Sequence, residues 1–186
     1  MQLYPKVRVD IDLEDSTADL TEKSIDLAIR IASNPDPSLI GKPIAVCESV
    51  LVASPEYLDQ AQQALGRIQQ PQDLSQHDCL GYKNFEQHIW HLSKHDQFES
   101  ITVDCRLTIN EATAILHGTL NGVGISMLPT YLANRYINDG RLCRVLPDWK
   151  PKDLIIYALY SSRKHLSPNV RALIDHLEQY FAEHPW

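Results

Sequence analysis

The chain has 186 residues, 44% of them hydrophobic and 22% charged, with a formal net charge of −7. That length and balance exclude a disordered polymer and allow one large domain or two small lobes with cores of their own. An acidic chain lacks the clustered Lys and Arg that release counterions from phosphates, so direct nucleic-acid contact is not expected, and no apolar run reaches the roughly 20 residues of a membrane span.

The start, "MQLYPKVRVD", lacks the basic and apolar regions of a signal peptide, which points to the cytoplasm. In "VRVDIDL", Val7, Val9, Ile11 and Leu13 alternate with polar residues and predict a strand. Ser16 or Thr17 then caps a short helix with Asp19 in its first turn. "IDLAIRI" is apolar on both faces except at Asp26 and Arg30, the pattern of a strand covered by helices on each side of a sheet. Strand material from Ile44 to Ala53 ends at Ser54, a cap with Pro55 at the first helical position, and the helix "PEYLDQAQQALG" closes at Gly66. The polar, turn-rich "IQQPQDLSQHD" reads as a crossing between lobes.

His88, His91 and His95 in "HIWHLSKH" would share one helical face, as metal ligands could. The alternation that follows, Ile101, Val103 and Cys105 in "FESITVDCRL", favours two strands and a turn instead, which scatters the histidines. Cys47, Cys79, Cys105 and Cys143 lie too far apart in sequence for a zinc knuckle or a redox CxxC and read as buried or idle thiols, so neither a metal nor a cofactor is expected.

In the second half, Asn110 caps a helix whose apolar face carries Ala112, Ile115, Leu116, Thr119 and Leu120, with Gly122 as a left-handed terminator. A short buried strand follows from Gly124 to Leu128, then a helix from Pro129 to near Gly140. Gly122-Val123-Gly124 comes after a helix, where a dinucleotide fingerprint would precede one, and reads as structural. "LIIYALY" is a buried strand, and "SPNVRALIDHLEQYF" an amphipathic helix capped by Ser167.

With "DLAIRIA", "PSLIGKPIA", "VLVASPEYL", "DLSQHDCLGY", "NGVGISMLP", "DGRLCRVLPDW" and "IIYALYSSRKHLSPNVRALIDHL" in this order, nearly the whole chain resembles the effector-binding domain of LysR-type transcriptional regulators. The resemblance implies an α/β architecture of two lobes of the periplasmic-binding-protein type (type II), joined by two crossings, with a small molecule held in the cleft. It divides the chain into lobe I over 1–75, lobe II over 76–147, and a return to lobe I over 148–186. It also implies that the DNA-binding domain and the first strand and helix of lobe I are missing here, leaving "VRVDI" and "DLAIR" without a partner strand and the chain poorly soluble or domain-swapped. The expected assembly is a homodimer or higher homo-oligomer. A solute-binding protein of similar fold would be expected to carry a secretion signal, and an α/β enzyme a recognisable nucleophile elbow, P-loop or metal box; Ser54 is accounted for by capping.

Ligands in open α/β sheets sit beyond the carboxyl ends of strands. By the resemblance, effector contacts fall at Asp15 and Ser16, at Arg30 and Ala32, at Tyr82 and Asn84, and at Asn110 with Glu111. Arg30 either forms a bidentate pair with an anionic effector, a carboxylate above all, or pairs with Glu14, Asp15 or Asp26. Asp15 and Glu111 would repel an anion unless they cap their own helices, where a first-turn carboxylate is favourable.

Overall fold

A computed structural model describes residue 5 and residues 7–14, 25–33, 39–83, 88–160 and 166–184. Two compact units divide the chain: one takes it up to Val46 and again from Leu154, the other spans Cys47–Asp153. The chain therefore crosses twice, at Val46/Cys47 and Asp153/Leu154, and not after residue 75 and residue 147. The reason is pairing, because the segment after Val46 joins the second unit's sheet directly.

In the first unit, β1 (Ala28–Ala32), β2 (Ile40–Cys47) and β11 (Leu154–Tyr160) form a sheet in the order β1-β11-β2. β1 runs antiparallel to β11 with Arg30 opposite Tyr157 and Ala32 opposite Ile155. Helix α4 (Pro168–Glu183) starts at Ser167, whose side chain accepts from the Val170 amide, and lays Val170 and Ile174 against Ala158. Lys42 Nζ bonds Glu178 at 2.8 Å. Among the described residues β1 lies at the edge of this sheet and Ile29 is 45% exposed, so the cover on both faces that its apolar pattern predicts is not found there, while the open edge agrees with the missing partner strand that the resemblance implies. Nor do residues 7–13 form the expected strand: Ile11 is 74% and Leu13 91% exposed. Alternation signals a half-buried strand only where a neighbour pairs with it, and none does among the described residues. The helix expected at Ser16 and Thr17 lies outside the described residues.

The second unit has a five-stranded sheet in the order β7-β4-β8-β3-β9, built from β3 (Ser49–Ala53), β4 (Asp78–Tyr82), β7 (Asp104–Ile109), β8 (Ile125–Pro129) and β9 (Cys143–Arg144). β7, β4 and β8 are parallel; β3 runs against β8, and β9 against β3. β5 (Ile89–Lys94), β6 (Gln97–Thr102) and β10 (Lys150–Pro151) make a smaller antiparallel sheet. Helices α2 (Ala112–Leu120) and α3 (Thr130–Asn138) cover one face of the large sheet through Leu80, Ile115, Leu116, Leu128 and Ala133. The other face packs Leu51, Cys79 and Ile125 on Tyr57 and Ala61 of α1 (Pro55–Leu65) and on Trp90, Leu92 and Ile101 of the hairpin. Each layer thus buries one apolar stripe, as α/β sheets require.

The local punctuation follows the sequence. Ser54 accepts from the Tyr57 amide and Gly66 closes α1 at φ 87°. After α2, Gly122 (φ 74°) donates to Thr119 and Val123 to Gly118, the two bonds of a Schellman ending. A Cβ on Gly124 would stand 2.3 Å from the Asp78 carbonyl oxygen, so this glycine lets β8 approach β4. "IQQPQDLSQHD" is not a crossing; Pro71–Gln76 is a 3-10 turn inside the second unit, with Leu74 fully buried. Its polar residues face outward while Leu74 anchors it, a signal that composition alone averages away. His88 lies on a turn, His91 on β5 beside Ser100 Oγ at 2.8 Å, and His95 in the hairpin turn. Among the described residues no helix is long and apolar enough to cross a membrane.

Candidate functional site

β4 and β7 are parallel neighbours, with Tyr82 opposite Ile109, so their carboxyl ends emerge side by side. The Lys83 amide fixes the juncture by donating to the Ile109 carbonyl at 2.8 Å. Tyr82, half-buried against the α2/α3 layer, is thereby brought beside Asn110 and Glu111. β8 adds the third parallel carboxyl end, and the Thr130 amide that follows it donates to the Glu48 carbonyl at 2.9 Å.

The structure corrects the cap of α2. Its N-cap is Glu111 and not Asn110, and the carboxylate accepts from the amides of Thr113 and Ala114, each at 2.7 Å. The Thr113 amide above all holds the Glu111 carboxyl below its ordinary range. Glu111 thus caps its own helix as expected, with a physical cost to the anion hypothesis: the two amides that would have greeted a ligand at this helix start already have a partner.

Tyr131, at the start of α3, was missed by sequence reasoning. Its phenol is pushed up by burial, and the charges of Cys47 and Glu111 act in the same direction, which puts it in the electrostatic reach of both. Burial pushes the Cys47 thiol up to about 11. The signal was available: Pro129 ends a strand parallel to β4, so the carboxyl-end rule that selected Tyr82 and Asn110 selects the next residues too.

In the first unit Arg30 is the third of the five residues of β1 and half-buried, and Ala32 is the last. Two residues apart on a strand, they share a face. Asp15, Ser16 and Asn84 lie outside the described residues.

A concavity of about 580 Å³ opens between the start of α1 and the C-terminal ends of α2 and α3, lined by Ser54, His117, Tyr136 and Arg141 among others. Its polar groups have structural employment: Ser54 caps α1, and Arg141 lies 4.4 Å over the Tyr136 ring while binding Asp139 at 3.0 Å. Nothing there pairs a nucleophile with a base.

Against known proteins, the family described as LysR substrate binding domain matches residues 1–182. The HTH-type transcriptional regulator PtxR of Pseudomonas aeruginosa is 33% identical over 184 residues, 98% of this chain and 58% of that protein. DmlR of Escherichia coli is also 33% identical over 184 residues, 97% of this chain and 58% of its own length. The chain therefore spans under two thirds of these relatives. Among solved structures, the regulatory domain of AphB in Vibrio vulnificus superposes with a TM-score of 0.74 at 30% identity, over 97% of this chain and 87% of that one. The CrgA regulatory domain from Neisseria meningitidis gives 0.80 at 24% identity over 96% and 86%, a likeness of fold.

Proposed function

The chain belongs to the LysR substrate-binding domain family, and from that premise we propose that its effector is a small anion, a carboxylate above all, sensed on behalf of a DNA-binding regulator in the cytoplasm. The family accounts for effector binding without turnover, and the chain groups with regulators and not with enzymes that share α/β lobes. The observation that carries the reading is the convergence of Tyr82 and Asn110 at adjoining parallel strand ends, where open α/β sheets take ligands. In this reading Asp15, Ser16, Arg30, Ala32, Tyr82, Asn84 and Asn110 keep the effector-contacting role that the family resemblance implies, and Tyr131 joins Tyr82 and Asn110 at the strand ends of the second unit. Glu111 acts as the cap that orders this edge.

Arg30 supplies the preference for anions, since a guanidinium pairs bidentately with a carboxylate. Pairing of two copies belongs to the same reading, and the exposure of Val9, Ile11 and Leu13 supports it, because apolar side chains left in water favour a covering partner. The test is a thermal-shift screen of small carboxylates against size-matched neutral and cationic metabolites. A ligand that binds only the folded state raises the melting temperature. Stabilisation by carboxylates alone is the expected result, and stabilisation by cations alone overturns the anionic assignment.

A further inference from the structure

The small sheet of the second unit turns one face to the core and leaves the other in solvent. Trp90 and Leu92 of β5 and Ile101 of β6 are buried, so the alternate residues of these strands point outward. By the register they are Ile89 and His91 on β5 and Phe98 and Ser100 on β6, with Lys150 of β10 opposite Ser93. Lys152 continues this row, its amide donating to the His91 carbonyl at 3.2 Å. We propose that this face is a docking surface for an acidic, extended segment of a partner protein that also carries apolar side chains.

The apolar half of the argument is Phe98, 79% exposed, with Ile89 on the neighbouring strand also exposed; neither packs into a hydrophobic cluster of the unit. An aromatic ring left in water is the kind of anchor that interfaces bury at their centre. The other half is charge. The chain carries a net −7, yet no carboxylate stands on this face: Glu99 is opposite Leu92 and belongs to the inner side, while Asp96 lies in the hairpin turn and Asp153 beyond the end of the row. Lys150 and Lys152 are exposed, and among the described residues neither has an ion-pair partner. They stand two residues apart, the period at which an extended chain presents its own side chains on one side. Carboxylates at alternate positions of a strand-like segment therefore meet both lysines. Exposed ion pairs are individually weak, so the ring supplies most of the affinity and the lysines select the sign of the partner. A long polyanion such as a nucleic acid would also meet the acidic remainder of the chain, whereas a short acidic segment meets this face alone.

The probe is a short fluorescein-labelled peptide alternating glutamate and phenylalanine, titrated with the full chain and followed by fluorescence anisotropy. A peptide with lysine in place of glutamate and a labelled single-stranded DNA oligonucleotide form the other arms. Saturable binding of the acidic peptide alone is expected. Phe98→Ser, and separately Lys150→Glu with Lys152→Glu, should each weaken it roughly tenfold or more while the near-ultraviolet circular dichroism stays that of the parent. No binding of the acidic peptide, equal affinity for the lysine peptide or the oligonucleotide, or unchanged affinity in either variant overturns the proposal. A fall in sedimentation mass on Phe98→Ser would assign the face to a second copy of the chain and overturn it as well.

Discussion

Gly124 lies against Asp78 so closely that a Cβ on the glycine would stand 2.3 Å from the Asp78 carbonyl oxygen. This approach sits where β8 begins to pair with β4, with Cys79 opposite Ile125. The obstructing atom is backbone in the middle of a sheet, so relief requires moving a strand. Gly124→Ala is expected to destabilise the second unit by about 1–3 kcal/mol, as overpacking does. Urea unfolding followed at Trp90, which is buried in that unit, reads the change; a midpoint equal to the parent's would show that β8 has room to shift.

Glu111 offers a test of capping. Its carboxylate accepts from Thr113 and Ala114, so Glu111→Ala is expected to cost about 0.5–2 kcal/mol at neutral pH. Because the folded-state carboxyl is held below its ordinary range, the stabilisation is present above the unfolded value and disappears as pH falls through the folded one. Parent and variant melting curves should therefore converge in acid, and a constant gap down to pH 2 would contradict the assignment.

How much of this was legible in the sequence depends on whether a signal is local. Ser54-Pro55, Ser167-Pro168 and Gly122 act through hydrogen bonds within a few residues, and each ends or starts its helix as read. The α/β alternation and the two-lobed family resemblance were equally visible. Signals that depend on a neighbour failed: Val7 to Leu13 alternate yet have no pairing strand among the described residues, and Ile29 is apolar yet sits on an edge strand. Glu111 displaced Asn110 as the cap because its longer side chain reaches two amides at once. Tyr82 and Asn110 follow adjoining parallel strand ends, an adjacency that, like the placing of Tyr131, depends on the strand order, which no stretch of sequence contains.

His77 gives the second unit an acid sensitivity. It is buried, its Nδ1 lies 3.3 Å from the Tyr57 hydroxyl, and burial pulls its pKa down. The unfolded chain takes up a proton near the ordinary histidine value of about 6.5 before the folded one does. Stability is thus complete above that pH and declines as pH falls from there toward the folded value. Melting temperatures at pH 7.5 and pH 5.5 should differ more in the parent than in a His77→Gln variant; an equal difference would assign the acid sensitivity elsewhere.

The net charge of −7 leads to a prediction about nucleic acid. Without a clustered basic surface to displace counterions, this chain alone is expected to leave DNA unprotected at physiological salt. Nuclease footprinting on upstream regions of candidate target genes checks this, and a discrete footprint from the isolated chain would refute it.

The central claim is the proposal that this chain senses a small anion through Arg30. Charge-assisted hydrogen bonds contribute roughly 1.5–3 kcal/mol, so Arg30→Ala should weaken effector binding about tenfold or more. The decisive measurement is isothermal titration calorimetry of the best-stabilising carboxylate into the parent chain and Arg30→Ala, each first shown to be folded by its near-ultraviolet circular dichroism. The account predicts saturable binding to the parent and an affinity at least about tenfold lower in the variant. Equal affinity in the two proteins would contradict it and leave Arg30 a structural residue of β1.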